Sequence, residues 1–218
     1  VDTALMGHAE GLYLIGAIAI GSVIFSALYW SFGFLRMGST GLTAQAFGRG
    51  QQDEVMATLV RALLTSLLLA SIILILQVPL RQLALSLVNG SPEVKEHARY
   101  YYDVRIYAAP ATLAIYAFHG WFLGLQNAKI PMYLAIFSNL LNMIASYLLV
   151  YKLNWGTAGV AWGTVIAQYS TLVLCIFILF SKFKDYLKFF SWQKIKNSEK
   201  FKDFFHTNKD LFIRTIFL

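Results

Sequence analysis

Amide and hydroxyl side chains recur at helical spacing in two long uncharged stretches of this 218-residue sequence. They are Ser138, Asn139, Asn142 and Ser146 in the first stretch and Thr164 and Gln168 in the second. Members of each set are one, three or four residues apart, so each set lies near one face of a helix. Such groups on an apolar helix either hydrogen-bond a neighbouring helix or bind a polar ligand, and the residue types leave both roles open. If the two helices are neighbours, their polar faces form a pocket.

Other residues offer little chemistry of their own. His119 has no His, Cys or acid at metal-ligand spacing within its own helix, so we expect it to be structural. Cys175 is the sole cysteine, which excludes a disulfide or a cysteine-based metal site within the chain. No Gly-rich phosphate loop, nucleophile elbow or HExxH pattern is present. We therefore predict that the protein is not an enzyme and has no metal site and no cofactor.

The composition is that of a membrane protein, with 58% hydrophobic, 16% aromatic and only 13% charged residues. Five segments lack charged residues and approach or exceed the ~20 residues that a helix needs to cross a bilayer. They are Gly11–Leu35, Ala62–Leu80, Ile106–Ala128, Ile130–Tyr151 and Leu153–Ser181. We interpret Val1–His8 as the end of a first helix and Asp210–Leu218 as the start of a seventh. The fold class expected is an all-α polytopic membrane helix bundle.

The connectors between these segments carry turn and orientation signals. Ser91 precedes Pro92 and Glu93, an order typical of an N-cap followed by the first turn of a helix. Eight of the eleven lysines lie between Ser181 and Lys209. Taken alternately, the connectors of one set hold twelve Lys and Arg residues and those of the other set hold five. This asymmetry predicts that the Lys-rich side is cytoplasmic and argues against a nucleic-acid site. The aromatic and basic stretch 186–206 is expected to lie along the anionic inner leaflet as a linker.

Several segments together resemble one family. They are Phe34-Leu-Arg-Met-Gly-Ser-Thr-Gly-Leu-Thr-Ala-Gln-Ala-Phe-Gly48, Gly120-Trp-Phe-Leu-Gly-Leu-Gln-Asn-Ala-Lys-Ile-Pro131, Asn142, and Gly156-Thr-Ala-Gly-Val-Ala-Trp-Gly-Thr-Val-Ile-Ala-Gln-Tyr169. Their order and spacing resemble the multidrug and toxic compound extrusion (MATE) transporters, especially the DinF-like bacterial branch. The resemblance covers essentially the whole chain.

The resemblance implies a transporter of twelve helices in two six-helix lobes, of which this chain looks like the N-terminal lobe. Helix one would be truncated and helix seven only begun, with the C-terminal lobe missing. Residues 1–181 would form the lobe, 182–209 a cytoplasmic basic amphipathic linker and 210–218 the start of helix seven. A multi-pass protein of the bacterial cytoplasmic (inner) membrane is implied.

The resemblance also implies a cation-coupling site. Asp2 matches the family's acid in helix one, Asn142 its Asn in helix five and Thr164 its Thr in helix six, while Asn139 lies one turn from Asn142. Ser146 stands where the family has a second acid, so we expect proton rather than sodium coupling, because sodium needs several hard oxygen ligands. In the expected cycle, a proton from outside neutralises Asp2, substrate leaves outward, and proton loss to the inside resets the lobe.

The implied activity is antiport of organic, mainly cationic, drugs or toxic compounds against protons by alternating access. Aromatic residues expected to line the cavity, through apolar and cation–π contacts, are Tyr29, Trp30, Phe34, Tyr116 and Trp121. The alternatives are a lipid-linked oligosaccharide flippase of the same superfamily, a membrane-embedded enzyme and a structural interaction protein. The flippase is disfavoured because the spans offer only Arg36, Arg61 and Arg105 as cations for a pyrophosphate group.

Overall fold

The computed structural model describes residues 12–195, 206 and 208–213, and all regular secondary structure in these residues is helical. Asp2 and the predicted end of the first helix lie outside the described residues. The same is true of 196–205 and 207 in the predicted linker and of 214–218 in the predicted seventh helix.

Ten helices are described in the first of these ranges. They are α1 Leu12–Trp30, α2 Gly33–Gly48, α3 Gln52–Ile75, α4 Gln77–Ser86, α5 Pro92–Arg105, α6 Ala109–Gly124, α7 Lys129–Tyr147, α8 Gly156–Lys182, α9 Lys184–Leu187 and α10 Trp192–Ile195. A 3-10 turn at Ile106–Ala108 joins α5 to α6, and a π turn at Leu148–Lys152 follows α7. Residues 208–213 are also helical.

Five helical stretches are long and apolar enough to cross a membrane, as predicted. They are Tyr13–Gly48, Gln52–Ile75, Pro92–Gly124, Lys129–Lys152 and Gly156–Lys182. The predicted bounds were wrong at several ends, because the helices continue into charged sequence. Arg61, for example, lies inside α3 with its side chain 2% exposed and forms an ion pair with Glu54 at 2.6 Å. A neutralised charge of this kind does not end a helix.

Prolines explain two interruptions in the helices. Pro79 has no N–H to donate to the carbonyl of Ile75, and the helical run bends at Leu76, between α3 and α4. Pro110 likewise leaves the carbonyl of Ile106 without its usual partner, and the chain tightens into the 3-10 turn there. The predicted N-cap is confirmed, because Ser91 Oγ accepts a hydrogen bond from the Val94 amide at 3.4 Å.

Small residues let the helices approach closely. A Cβ atom added to Gly120 of α6 would lie 2.5 Å from the Arg36 carbonyl oxygen and 2.7 Å from Ser39 Cβ of α2. One turn later, a Cβ at Gly124 would lie 2.5 Å from Thr43 Cβ. The two glycines therefore form a small-xxx-small face against Ser39 and Thr43. This contact holds α6 against α2.

Candidate functional site

A cavity of about 260 Å³ lies among α1, α5, α6, α7 and α8, with a predominantly polar set of side chains around it. Its lining consists of Tyr29, Arg105, Ala108, Thr112, Ile115, Tyr116, His119, Leu134, Ala135, Ser138, Asn139, Thr164, Gln168 and Thr171. In α8 the lining residues begin at Thr164, eight residues after the helix starts, and end at Thr171, eleven residues before its last residue. At 1.5 Å per residue this places the cavity near the middle of the span.

The two polar faces singled out in the sequence meet at this cavity. Asn142 Nδ2 of α7 donates a hydrogen bond to Thr164 Oγ1 of α8 at 3.0 Å. Thr164 Oγ1 in turn donates to the Val160 carbonyl at 3.3 Å, so its one proton is used within its own helix. Asn139, Thr164 and Gln168 line the cavity. The structure thus brings Asn139, Asn142 and Thr164 together.

Ser146 is placed differently from the other polar residues of α7. It is completely buried and packs against Gly163 of α8 rather than lining the cavity. A Cβ at Gly163 would lie 2.8 Å from the Ser146 backbone nitrogen and 2.9 Å from its Cα, and it would also meet Ser146 Oγ. No hydrogen-bond partner for Ser146 Oγ is present among the described residues. Position 146 is therefore a close helix contact with little room for a larger side chain.

The five aromatic residues predicted to line the cavity separate into three groups. Tyr29 and Tyr116 line it, and the Tyr29 hydroxyl lies beside Thr112. Trp30 is 61% exposed and is not among the residues that line the cavity. Phe34 and Trp121 are in the packed interior: Phe34 makes an edge contact with Phe212, and Trp121 donates a hydrogen bond to the Val55 carbonyl at 2.9 Å. These last three side chains do not line the cavity in this structure.

Several polar cavity residues were not predicted from the sequence, among them Thr112, Thr171, His119 and Arg105. His119 was expected to be structural, but it lines the cavity, and its Nε2 is buried without a partner among the residues that the structure describes. The signal was available, because Thr112, Tyr116 and His119 are four and three residues apart on α6. Arg105 had been considered only as a residue near the end of a span. Its guanidinium lies over the Phe25 and Tyr101 rings, 5.2 and 5.3 Å from their centroids, and donates to the Tyr101 hydroxyl.

The described part of the chain contains no group of three or more His, Cys, Asp or Glu side chains placed to hold a metal ion. What the cavity offers a ligand is hydrogen-bonding amides and hydroxyls, two phenol rings, an imidazole and one guanidinium.

Comparison with known proteins decides the family. The model of the MatE family matches residues 1–148, about two thirds of the chain. The chain belongs to the MatE family. MatE proteins are transporters and not enzymes, which agrees with the absence of catalytic motifs.

Curated relatives agree with the MatE assignment. The chain is 36% identical over its whole length to DNA damage-inducible protein F of Escherichia coli (strain K12), of which it covers 48%. It is 29% identical over 84% of its length to multidrug and toxin extrusion protein 1 of Oryctolagus cuniculus, of which it covers 32%. The chain therefore spans half or less of the length of these relatives.

Solved structures support the fold. A multidrug resistance MATE family transporter in an outward-facing conformation matches 99% of this chain with a TM-score of 0.86 at 19% identity, over 48% of its own length. A MOP superfamily transporter from Pyrococcus furiosus matches with a TM-score of 0.85, also at 19% identity, over 99% of this chain and 47% of its own. The arrangement of this MatE chain is thus that of one half of such transporters.

Proposed function

We propose that this chain is the N-terminal lobe of a secondary antiporter that exports organic, mainly cationic, compounds in exchange for protons. The observation that carries the proposal is a polar cavity between the membrane-spanning helices of a MatE family chain, lined by Thr164, whose hydroxyl accepts a hydrogen bond from Asn142. Because the chain covers 48% of its E. coli relative, the activity is proposed for a protein that carries both lobes.

In the proposed cycle Asp2 is the coupling carboxylate. Its place in the structure lies outside the described residues, so its role rests on the family resemblance at Val1-Asp2-Thr3. Low dielectric favours the protonated form of a carboxylic acid, and the amide and hydroxyl of Asn142 and Thr164 are suitable hydrogen-bonding partners for it. Proton binding from outside triggers rearrangement and outward release of substrate. A proton moving down ~100 mV supplies ~2.3 kcal/mol, enough to shift a two-state equilibrium substantially.

The packing at Ser146 favours protons over sodium as the coupling ion. Sodium binding of the type expected in this family would use a second carboxylate on α7, and Ser146 occupies that position. Because Ser146 is packed against Gly163 and fully buried, the serine is matched to a tight helix contact. One carboxylate with amide and hydroxyl partners is sufficient for a proton, whereas a hard cation needs more oxygen ligands.

The cavity lining also supports an organic substrate over a lipid-linked pyrophosphate. Arg105 is the one Lys or Arg among the cavity-lining residues described, and its guanidinium is held over two aromatic rings. The rings of Tyr29 and Tyr116 can contact a flat lipophilic cation by dispersion and cation–π attraction. A pyrophosphate would instead need several converging cations.

We place the protein in the bacterial cytoplasmic membrane with the Lys-rich linker on the cytoplasmic side. Support comes from the twelve-to-five division of Lys and Arg between alternate connectors and from the E. coli relative.

The test is transport by the two-lobe protein in proteoliposomes loaded with a fluorescent organic cation. An imposed pH gradient should drive transport, an equal sodium gradient should not, and Asp2→Asn should abolish the proton-driven rate. Glu96→Gln, which removes an exposed carboxylate of α5, is the matched control and should transport normally. Proton-driven transport by Asp2→Asn would contradict the coupling role, and a sodium requirement would contradict the choice of ion.

A further inference from the structure

The segment that follows the last span folds back onto the helix bundle. We call residues 182–195 the linker strap; it begins at the last residue of α8 and includes α9 and α10. Near its start, the Phe183 and Tyr186 rings pack edge-on against Trp121 of α6, with centroid distances of 5.2 and 5.7 Å. Trp121 is itself fixed by its hydrogen bond to the Val55 carbonyl.

The other end of the linker strap is held by a buried arginine. Arg61 of α3 donates from Nε to the Ile195 carbonyl at 3.3 Å, while its Nη1 pairs with Glu54 at 2.6 Å. Ile195 is 2% exposed, so both the backbone contact and the side chain are inside the bundle. Because the linker strap is attached to the bundle near both of its ends, the side chains on its outward side are held in a fixed position.

That outward side combines exposed aromatic rings with ammonium groups. Phe189, Phe190 and Trp192 are 41, 50 and 55% exposed, and the rings of Phe190 and Trp192 are 5.8 Å apart. Lys184 and Lys188 are exposed in the same short segment. Exposed aromatic rings beside lysines are typical of side chains that sit at the headgroup level of a bilayer.

Charge and position favour one partner. The linker strap contains four lysines and one acid, Asp185. A hydrogen bond from Lys188, and the charge of that lysine, hold the pKa of Asp185 below its usual range, so Asp185 is ionised at neutral pH. Four lysines against this one carboxylate leave the strap net cationic. The strap starts at the last residue of a helix that is long and apolar enough to cross a membrane, so we expect its rings and ammonium groups near the membrane surface.

We propose that the linker strap is a binding surface for anionic phospholipid. The rings of Phe189, Phe190 and Trp192 enter the interface, and Lys184 and Lys188 contact phosphate and headgroup charge. The attachments at Trp121 and Arg61 make the surface preformed, so that little ordering free energy is needed on lipid contact. This binding is independent of the transport cycle.

The test uses tryptophan quenching in nanodiscs of phosphatidylcholine that contain a small fraction of brominated phosphatidylglycerol or brominated phosphatidylcholine. The contribution of Trp192 is the difference between the native protein and Trp192→Phe. We expect brominated phosphatidylglycerol to quench this contribution at least threefold more than brominated phosphatidylcholine at equal mole fraction. Raising the salt concentration should reduce the difference.

Charge variants identify the residues responsible. Lys184→Gln with Lys188→Gln should bring the two lipids to nearly equal quenching, whereas Lys95→Gln with Lys152→Gln, which removes the same charge elsewhere, should leave the preference intact. Equal quenching of native Trp192 by both lipids would overturn the proposal, as would absence of quenching by either. A preference that survives in Lys184→Gln with Lys188→Gln would overturn the assignment to these two lysines. Because the readout is lipid contact, the proposal stands or falls separately from proton-coupled transport.

Discussion

At the scale of single residues, the polar groups of α7 and α8 divide into two kinds. Thr164 and Asn142 join the helices through a hydrogen bond beside the cavity, whereas Ser146 packs against Gly163 without a hydrogen-bond partner in the described residues. Asn142 and Thr164 thus provide an interhelical hydrogen bond, whereas Ser146 allows the two helices to approach closely. The difference can be measured by substitution.

Thr164→Val keeps the shape of the side chain and removes the acceptor for Asn142 Nδ2 and the donor to Val160. We expect a loss of about 0.6–1.5 kcal/mol in stability, measured by thermal unfolding in detergent. Thr171→Val is the matched control. The Thr171 hydroxyl is buried in the same helix, and the hydrogen bond described for it goes to the Ala167 carbonyl of its own helix. A stability of Thr164→Val equal to that of Thr171→Val would show that the interhelical bond contributes nothing.

Ser146→Asp restores the acid that the family resemblance implies, but it adds volume and charge at a completely buried contact. We expect destabilisation by more than about 2 kcal/mol, since the added atoms meet Gly163 and the charge loses hydration. Ser146→Ala should stay within about 0.5 kcal/mol of the native protein, because no described hydrogen bond is lost. A stable Ser146→Asp protein whose transport depends on sodium would contradict our account of this position.

At the scale of helices, the sequence predicted which segments cross the membrane more reliably than where their helices end. Charge-free length identified five spans because the bilayer excludes unpaired charge. It could not locate helix ends such as the start of α3 at Gln52, because Arg61, inside that helix, is neutralised by Glu54 in the three-dimensional packing. Local chemistry did predict the start of α5, because Ser91 and Pro92 act within one turn. The spacing of Thr112, Tyr116 and His119 placed the three on one side of α6, but the sequence did not show which helices face that side.

The contact between α2 and α6 tests whether close approach of helices supports the cavity. Gly120→Ala would place a methyl group 2.5 Å from the Arg36 carbonyl oxygen, and we expect it to lower stability by about 1–3 kcal/mol. Gly41→Ala in α2, where an added Cβ meets no described atom within 4 Å, should be neutral or stabilising because alanine favours helix. Thermal unfolding of the two variants in parallel gives the comparison. Equal stability of Gly120→Ala and Gly41→Ala would show that the close approach of α2 and α6 does not contribute to stability.

At the scale of the whole molecule, a half-length chain with the MatE fold contains its own polar cavity. The fold matches transporters at TM-scores of 0.85 and 0.86 although sequence identity is 19%, so the arrangement of helices is retained at low sequence identity. The lining and the family could be anticipated in outline from the motifs. The positions of Trp30, Phe34 and Trp121 could not, because an aromatic residue in a span packs equally well against lipid, protein or a cavity.

The central claim is that this cavity, lined by Asn139, is the place where substrate binds, and thiol labelling tests it directly. Cys175 is completely buried, so Asn139→Cys provides an accessible thiol at the exposed edge of the cavity. A maleimide reagent should label Asn139→Cys in the two-lobe protein, and an organic cation that is transported should slow labelling several-fold by occupying the cavity. Gln193→Cys on the linker strap, also exposed, should be labelled at the same rate with and without substrate. Labelling of Asn139→Cys at an unchanged rate in saturating substrate would contradict the account.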